Sequence, residues 1–104
     1  LSKINYNVVT MLFVWDPNKA KTNIKKHGIS FDLAATVFQD QLHLSVLDGK
    51  DRGEERWATI GLAGDSQTLV VVHLYHEIGN NEVVRIVSAR KVTKKEKKQY
   101  EEGI

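Results

Sequence analysis

The chain has 104 residues, a net charge of +2 and no cysteine. This length suits one domain with a modest core, and the absence of thiols excludes disulfides and thiolate metal sites. No apolar run is long enough to cross a bilayer, and the first residues lack a signal-peptide pattern. We therefore expect a cytoplasmic protein with no membrane contact. The small net charge does not by itself indicate a nucleic-acid partner.

The first part of the chain predicts one strand and two helices. Residues 8–15 are rich in β-branched and aromatic side chains, which is typical of a strand. Asp16 as the N-cap and Pro17 at the first helical position start a helix that should end just before Gly28. Apolar residues at helical spacing predict a second short helix over residues 30–38.

From residue 42 onward the hydrophobic period changes to two. This alternation predicts strands over residues 42–46, 55–62, 68–76 and 83–90, and a polar loop over residues 48–53. The third of these strands is the most apolar and should be central. Short turns between consecutive strands indicate an antiparallel meander. The predicted fold is therefore α+β, with two N-terminal helices packed on an antiparallel sheet of about four strands and a C-terminal helix.

The C-terminal helix, residues 93–102, is strongly basic. Thr93 and Glu96 have the spacing of a capping box that starts it. Between Arg85 and Lys98 there are seven cations and a single acid. Lysines beside the free N–H groups of a helix start favour an anion, so Lys94 and Lys95 are candidate RNA-phosphate ligands. A solvated charged helix is the alternative interpretation.

Four short motifs occur in order along the chain, followed by a Lys/Glu helix that ends in Tyr100 and Glu101. They are WDPNK at 15–19, KHGISF at 26–31, GEERW at 53–57 and IVSARK at 86–91. In this order and on this pattern of helices and strands, they resemble the BrnT family of toxins from bacterial type II toxin–antitoxin pairs. The resemblance covers residues 11–103.

The resemblance implies a RelE-like ribonuclease fold and RNA cleavage without a metal or other cofactor. It also implies inhibition of translation and growth. The implied partners are the RNA substrate and a BrnA-like antitoxin that binds DNA, so that the toxin reaches operator DNA only through the antitoxin in an autorepressing complex.

Residues 1–10 fall outside the resemblance, and Met11 resembles the usual start of the family. We interpret residues 1–10 as an N-terminal extension, which arises from an upstream start or is not native, and which could lengthen the first strand. Residues 11–104 are then a single BrnT-like toxin domain.

Arg90 and Tyr100 are the leading candidates for catalysis. Arg90 ends the last strand beside the start of the final helix, and its planar guanidinium can bind two phosphate oxygens. The resemblance implies that an arginine at this position belongs to the active site of the toxin. Tyr100 is the only large ring in a charged helix. It could stack on a base or share a proton, or it could anchor the helix to the sheet.

Three consecutive residues open the second predicted strand of the meander. Arg56 is a candidate phosphate ligand and Glu55 a candidate base, although a salt bridge between strands explains the pair equally well. Because neighbouring strand residues face opposite sides, both can serve one site only where the strand is irregular. Trp57 shares the parity of Glu55 and is either a base-stacking platform for RNA or part of the core.

A second basic segment closes the first helix. His27 is a candidate acid–base catalyst, because histidine is the side chain suited to proton transfer near neutral pH, and Lys25 and Lys26 are candidate RNA ligands. A histidine stabilised by the helix dipole and two solvated lysines are the alternative interpretation. Arg85 is a further RNA-binding candidate, but it has the opposite strand parity to Arg90 and should share a face with it only if the strand bulges.

Two alternatives to a ribonuclease remain open at this point. The same basic surface could bind nucleic acid without cleaving it, as a regulatory module whose affinity falls steeply with salt. The chain could also be an interaction subunit that completes a repressor complex, because its final helix has few apolar residues and could be displaced by a partner.

Overall fold

The computed structural model describes residues 10–103. Most of the predicted N-terminal extension, the start of the first predicted strand at Val8, and Ile104 lie outside this range. The elements are β1 (Thr10–Val14), α1 (Pro17–His27), α2 (Phe31–Ala35), a 3₁₀ turn (Thr36–Gln39), β2 (Leu44–Asp51), β3 (Glu54–Leu62), β4 (Thr68–Ile78), β5 (Asn81–Lys91) and α3 (Lys94–Glu102).

The α+β class is confirmed, but the predicted sheet is wrong in detail. The sheet has five strands in the order β1-β5-β4-β3-β2, so β4 is central as expected. β2 to β5 form the antiparallel meander, whereas β1 pairs parallel to β5. The parallel pair is possible because α1 and α2 lie between β1 and the meander in the chain, and a parallel connection needs a crossover of this length.

The start and end of α1 follow the sequence prediction. The Asp16 carboxylate accepts a hydrogen bond from the Asn18 backbone N–H at 2.8 Å, and Gly28 ends the helix with a φ of 70°. Asn23 lies on the buried side of this helix. Its amide pairs with both backbone groups of Ala89, at 2.9 and 3.1 Å. β1 ends opposite Arg85, so Ala89 has no β1 partner at this edge of the sheet. The Asn23 side chain supplies the hydrogen bonds that its backbone would otherwise lack.

One sheet face carries the hydrophobic core. Phe31, Ala34 and Val37 from the helical layer pack there against strand residues such as Val71 and Ile86, all of which are buried. Gly61 permits the close approach of the 3₁₀ turn to β3, because a Cβ at this position would lie 2.7 Å from Val37 Cγ1. We call this the helix-covered face.

The predicted polar loop over residues 48–53 is wrong, because β2 and β3 continue through most of it. A register shift between Leu47 and Lys50 marks a bulge, and only Arg52 and Gly53 form the turn. Both turn residues have positive φ, 51° and 84°, as a type I′ hairpin requires. The polar residues between the strands therefore belong to a twisted hairpin and not to a loop.

A second bulge lies between β4 and β5. His73 pairs with Ile86 and Val72 with Ser88, so Val87 is the extra residue. This shift changes the parity of the strand beyond it. Arg85, which pairs with Leu74, and Arg90, which pairs with Val70, therefore lie on the same sheet face.

The C-terminal helix is fastened by polar contacts. The predicted capping box between Thr93 and Glu96 is confirmed, and Gly103 ends α3 in the left-handed conformation. No residue of α3 is buried. Glu96 near its start binds Arg90, and Tyr100 near its end binds Asp40, which directly follows the 3₁₀ turn. Among residues 10–103, no helix has the length and apolar character needed to cross a membrane.

Candidate functional site

We call the sheet face opposite the helix-covered face the open face. Three arginines that the sequence offered as candidates lie on it. Strand register places Arg56, Arg85 and Arg90 on this face. Between them lie small or apolar residues, Ala58 on β3 and Val72 on β4, together with Ser88 on β5. Three cations from two strands therefore lie around these residues and Leu74, which pairs with Arg85.

Arg90 is held by a bidentate ion pair with Glu96. Its Nη1 and Nη2 donate to the two carboxylate oxygens at 2.8 and 2.9 Å, and Nη1 also donates to the Lys91 carbonyl. The ion pair lowers the pKa of Glu96 to about 2 and raises the pKa of Arg90. Arg90 therefore stabilises the first turn of α3, while the edge formed by Nε and Nη2 keeps donors for a further ligand.

Arg56 is oriented by the bulge of β2. Its Nε donates to the Asp48 carbonyl at 3.0 Å and lies 3.5 Å from the Asp48 carboxylate. The hydrogen bond to Glu96 is the main cause of the raised pKa of Arg90, and the charge of Asp48 contributes to it. Asp48 is a carboxylate of this surface that sequence reasoning missed, because the residue was assigned to a loop.

Tyr100 lies at the other end of α3 and binds Asp40. The phenol donates to Asp40 Oδ2, and the same carboxylate accepts the backbone N–H groups of Leu42 and Leu62. Accepting the phenol hydrogen bond lowers the pKa of Asp40, and the carboxylate raises the pKa of Tyr100 to about 12. This geometry favours the anchoring interpretation of Tyr100.

Lys26 and His27 line a groove between α1 and the edge of β5. The groove has a volume of about 320 Å³, and Ser88 and Lys19 also line it. His27 thus lies beside the segment of β5 that carries Arg85 and Arg90. Lys25 is exposed on α1 and does not line this groove.

Glu55 and Trp57 lie on the other side of β3. Their neighbours in the ladder, Lys50 for Glu55 and His73 for Trp57, place both side chains on the helix-covered face. Trp57 packs edge-to-face on Tyr75, with ring centroids 6.0 Å apart. Because β3 is regular here, neither residue is brought together with Arg56.

Lys94 and Lys95 are exposed in the first turn of α3. Two donors of this turn are already used, because the Thr93 N–H binds Glu96 and the Glu96 N–H binds Thr93. Glu96, the single acid of this basic segment, supplies a carboxylate to the same turn.

A buried histidine marks the helix-covered face. His73 Nε2 lies 2.7 Å from Thr59 Oγ1, which in turn lies 2.7 Å from Ser45 Oγ. The ring packs edge-to-face on Phe38, and burial lowers the pKa of His73 to about 4. His73 is therefore a neutral core residue at neutral pH. No group of three or more possible metal ligands is present among residues 10–103.

Comparison with known proteins identifies the family. The family model of the ribonuclease toxin BrnT of type II toxin–antitoxin systems matches residues 15–96. The chain belongs to the BrnT family. The crystal structure of the Brucella abortus ribonuclease toxin BrnT is similar in fold, with a TM-score of 0.55 and 23% identity, covering 83% of this chain and 100% of that one. Among curated proteins, none matches the chain.

Membership gives the open face a functional context. BrnT proteins are ribonuclease toxins of type II toxin–antitoxin systems, so an RNA substrate and a protein antitoxin are the partners of the family. The matched segment contains Arg56, Arg85 and Arg90, the open-face arginines. The sequence analysis missed Asp48 and Asp40, the residue that anchors Tyr100. Only Asp40 could have been noticed from the sequence, because it is a polar residue directly after an apolar helical segment.

Proposed function

We propose that this BrnT-family protein is an endoribonuclease that cleaves RNA without a metal ion. In this reaction a 2′-hydroxyl attacks the adjacent phosphorus, and the bond to the 5′-oxygen breaks. The products are a 2′,3′-cyclic phosphate and a 5′-hydroxyl. The observation that carries the proposal is the position of Arg56 and Arg90 on one sheet face, because most of the catalytic effect comes from charges fixed around the phosphate oxygens.

Arg90 is the proposed ligand of the scissile phosphate. Its two terminal nitrogens bind Glu96, so the guanidinium plane is fixed before substrate arrives. The Nε proton and the second proton of Nη2 are not used by Glu96, and they can donate two parallel hydrogen bonds to a phosphate. Arg56, fixed by the Asp48 carbonyl, supplies a second cation for the charge that develops.

Proton transfer is assigned to groups at the border of the same surface. His27 lines the groove that reaches Ser88, two residues before Arg90, and a histidine can both remove and return a proton near neutral pH. Lys26, in the same groove, would hold the RNA backbone. The Asp48 carboxylate, 3.5 Å from Arg56 Nε, is the other candidate proton acceptor. Glu55 and Tyr100 have weaker support, because one lies on the opposite face and the other donates to Asp40.

The open face also suits a protein antitoxin. Leu12 and Val14 on β1 and Val46 on β2 share this face, and each exposes more than two-fifths of its surface. Exposed apolar side chains beside cations are the composition expected of a surface that a folded partner covers. We propose that a BrnA-like antitoxin neutralises the toxin here, and that the toxin meets operator DNA only within that complex. RNA cleavage by the free chain would inhibit translation and growth.

The test is RNA cleavage in excess EDTA, with analysis of the product ends. The wild-type chain should give cyclic phosphate ends, and Arg90→Ala should lower the rate by about 10²–10³-fold. Glu96→Gln is the matched control, because it weakens the same attachment of α3 and keeps the cation. That variant should retain cleavage within about tenfold.

Equal loss in both variants would show that the docking of α3 matters and not the Arg90 charge. RNA binding that falls steeply with salt, with no cleavage by any protein, would support the alternative of a non-catalytic binding module.

A further inference from the structure

A second cationic depression lies on the open face, away from Arg90. It has a volume of about 340 Å³ and is formed where α1, the β2–β3 turn and the strands β4 and β5 meet. Its charged and titratable lining residues are Lys19, Arg52, Arg85, Asp51, Glu54 and His76. Three separate elements therefore bring a cation to one concave place.

The three cations are available to a ligand. Glu54 has its own partner, since its carboxylate lies 3.7 Å from His76 Nε2. Within residues 10–103, no ion pair and no side-chain hydrogen bond involves Lys19, Arg52 or Arg85. The three cations outnumber the two carboxylates of the depression, Asp51 and Glu54, and Glu54 lies beside His76, so the lining favours an anion.

The backbone at Arg52 supports a role in binding. Arg52 has a φ of 51° at the first central position of a type I′ turn, where glycine, asparagine or aspartate is the usual residue. A long side chain in the left-handed region is uncommon and costs stability. Residues held in this way occur often at binding sites, because the strain is retained for function. Here the unfavourable residue supplies one of the three cations.

The depression lies in line with the proposed cleavage site. Arg85 pairs with Leu74 and Arg90 with Val70, four residues apart on β4, which corresponds to about 13 Å along the strand. The bulge at Val87 places both arginines on the same face. A polymer with regularly repeated phosphates can therefore contact both positions at once.

We propose that Lys19, Arg52 and Arg85 form a second phosphate-binding subsite, which holds the RNA strand at a phosphodiester other than the one cleaved. The inference rests on the proposed function, because it takes RNA as the ligand. The subsite supplies affinity and register, and it takes no part in bond breaking. It therefore lowers the KM for RNA and leaves kcat unchanged.

The test uses an eight-nucleotide RNA with methylated 2′-hydroxyls, which cannot undergo attack by the 2′-oxygen. Affinity is measured between 50 and 200 mM salt for Lys19→Gln, Arg52→Asn and Arg85→Gln. Each variant should bind about tenfold more weakly, because one charged hydrogen bond is lost. The slope of log K against log salt should fall by about 0.7 for each lost phosphate contact.

Lys21→Gln is the matched control, since Lys21 lies on α1, is exposed and does not line the depression. Arg52→Asn carries a second signature. Asparagine suits the left-handed turn better than arginine, so this variant should melt at a higher temperature while it binds RNA more weakly.

Three outcomes would overturn the subsite. They are an equal loss of affinity in Lys21→Gln, an unchanged affinity in the three variants, and, with a cleavable RNA, a fall in kcat at saturation with no change in KM. Because the RNA is not cleaved, the binding result is independent of catalysis. If the wild-type chain binds this RNA through the three cations but cleaves no RNA, the subsite stands and the proposed ribonuclease function fails.

Discussion

The two faces of the sheet are built from the same strands but carry opposite chemistry. On the helix-covered face, Phe31 and Val71 are fully enclosed, and even His73 is held neutral. On the open face, Arg56 and Arg90 remain partly exposed, each with one carboxylate partner. The period of two in each strand separates the residues that stabilise the fold from those that can meet a ligand.

The comparison also explains why two bulges matter. In regular strands, Arg85 and Arg90 would lie on different faces, and the extra Val87 places them together. On β2, the bulge brings Asp48 against Arg56. Bulges are often found beside functional sites because they redirect side chains without breaking the sheet. Each of the following predictions tests whether the faces are as separate as the geometry indicates.

The largest expected effect concerns the buried histidine. Folding lowers the pKa of His73 from 6.5 to about 4, so the unfolded chain binds more protons between these values. The free energy of unfolding should therefore have its full value above about pH 6.5. It should fall by roughly 3 kcal/mol as the pH drops to about 4. Urea unfolding of the wild type and His73→Gln at several pH values measures it. A decline of equal size in the variant would assign the effect to other groups.

The next prediction compares neighbours on β3 that face opposite sides. Arg56→Gln should lower RNA cleavage by roughly 10–100-fold, because a cation beside the phosphate is lost. Glu55→Gln should change the rate less than about twofold, since that side chain lies on the helix-covered face. The measurement is kcat/KM on one RNA substrate, with circular dichroism as the folding control. A large effect of Glu55→Gln would restore its role as a general base and contradict the separation of the faces.

The smallest effect concerns the attachment of α3. Tyr100→Phe removes the hydrogen bond to Asp40 and should cost about 1 kcal/mol of unfolding free energy, because the site is partly exposed. Asp40→Asn should lose at least as much, since Asp40 also caps two backbone N–H groups. If Tyr100 is only an anchor, both variants should lower cleavage equally. Loss of cleavage in Tyr100→Phe alone would indicate a direct catalytic role.

Much of the fold could be predicted because its signals are local. Asp16, Pro17 and Gly28 set the limits of α1, and Thr93 with Glu96 starts α3, since caps depend on residues a few positions apart. The alternation in β3 assigned Arg56, Ala58 and Ile60 to one face, as the register has it. The parallel position of β1 was not predicted, because strand pairing across a helical crossover leaves no local pattern.

Parts of the candidate site were beyond local reasoning. Glu96, the partner of Arg90, is only six residues away in the sequence. The sequence predicted Glu96 as part of the capping box of α3 but did not predict its ion pair with Arg90. Tyr100 and Asp40 are 60 residues apart, and no spacing rule connects them. The assignment of residues 48–53 to a loop failed because charged and glycine residues in a hairpin bulge have the composition of a loop.

The sequence by itself determined the helices, the meander, the basic C-terminal segment and the resemblance to the BrnT family, because each depends on residue types at short, regular spacing. Only the tertiary structure decided which arginines share a face, what holds them, and where Lys19 and Arg52 meet Arg85. The physical reason is that a bulge of one residue reverses strand parity. Side chains from distant elements then become neighbours through the shared core.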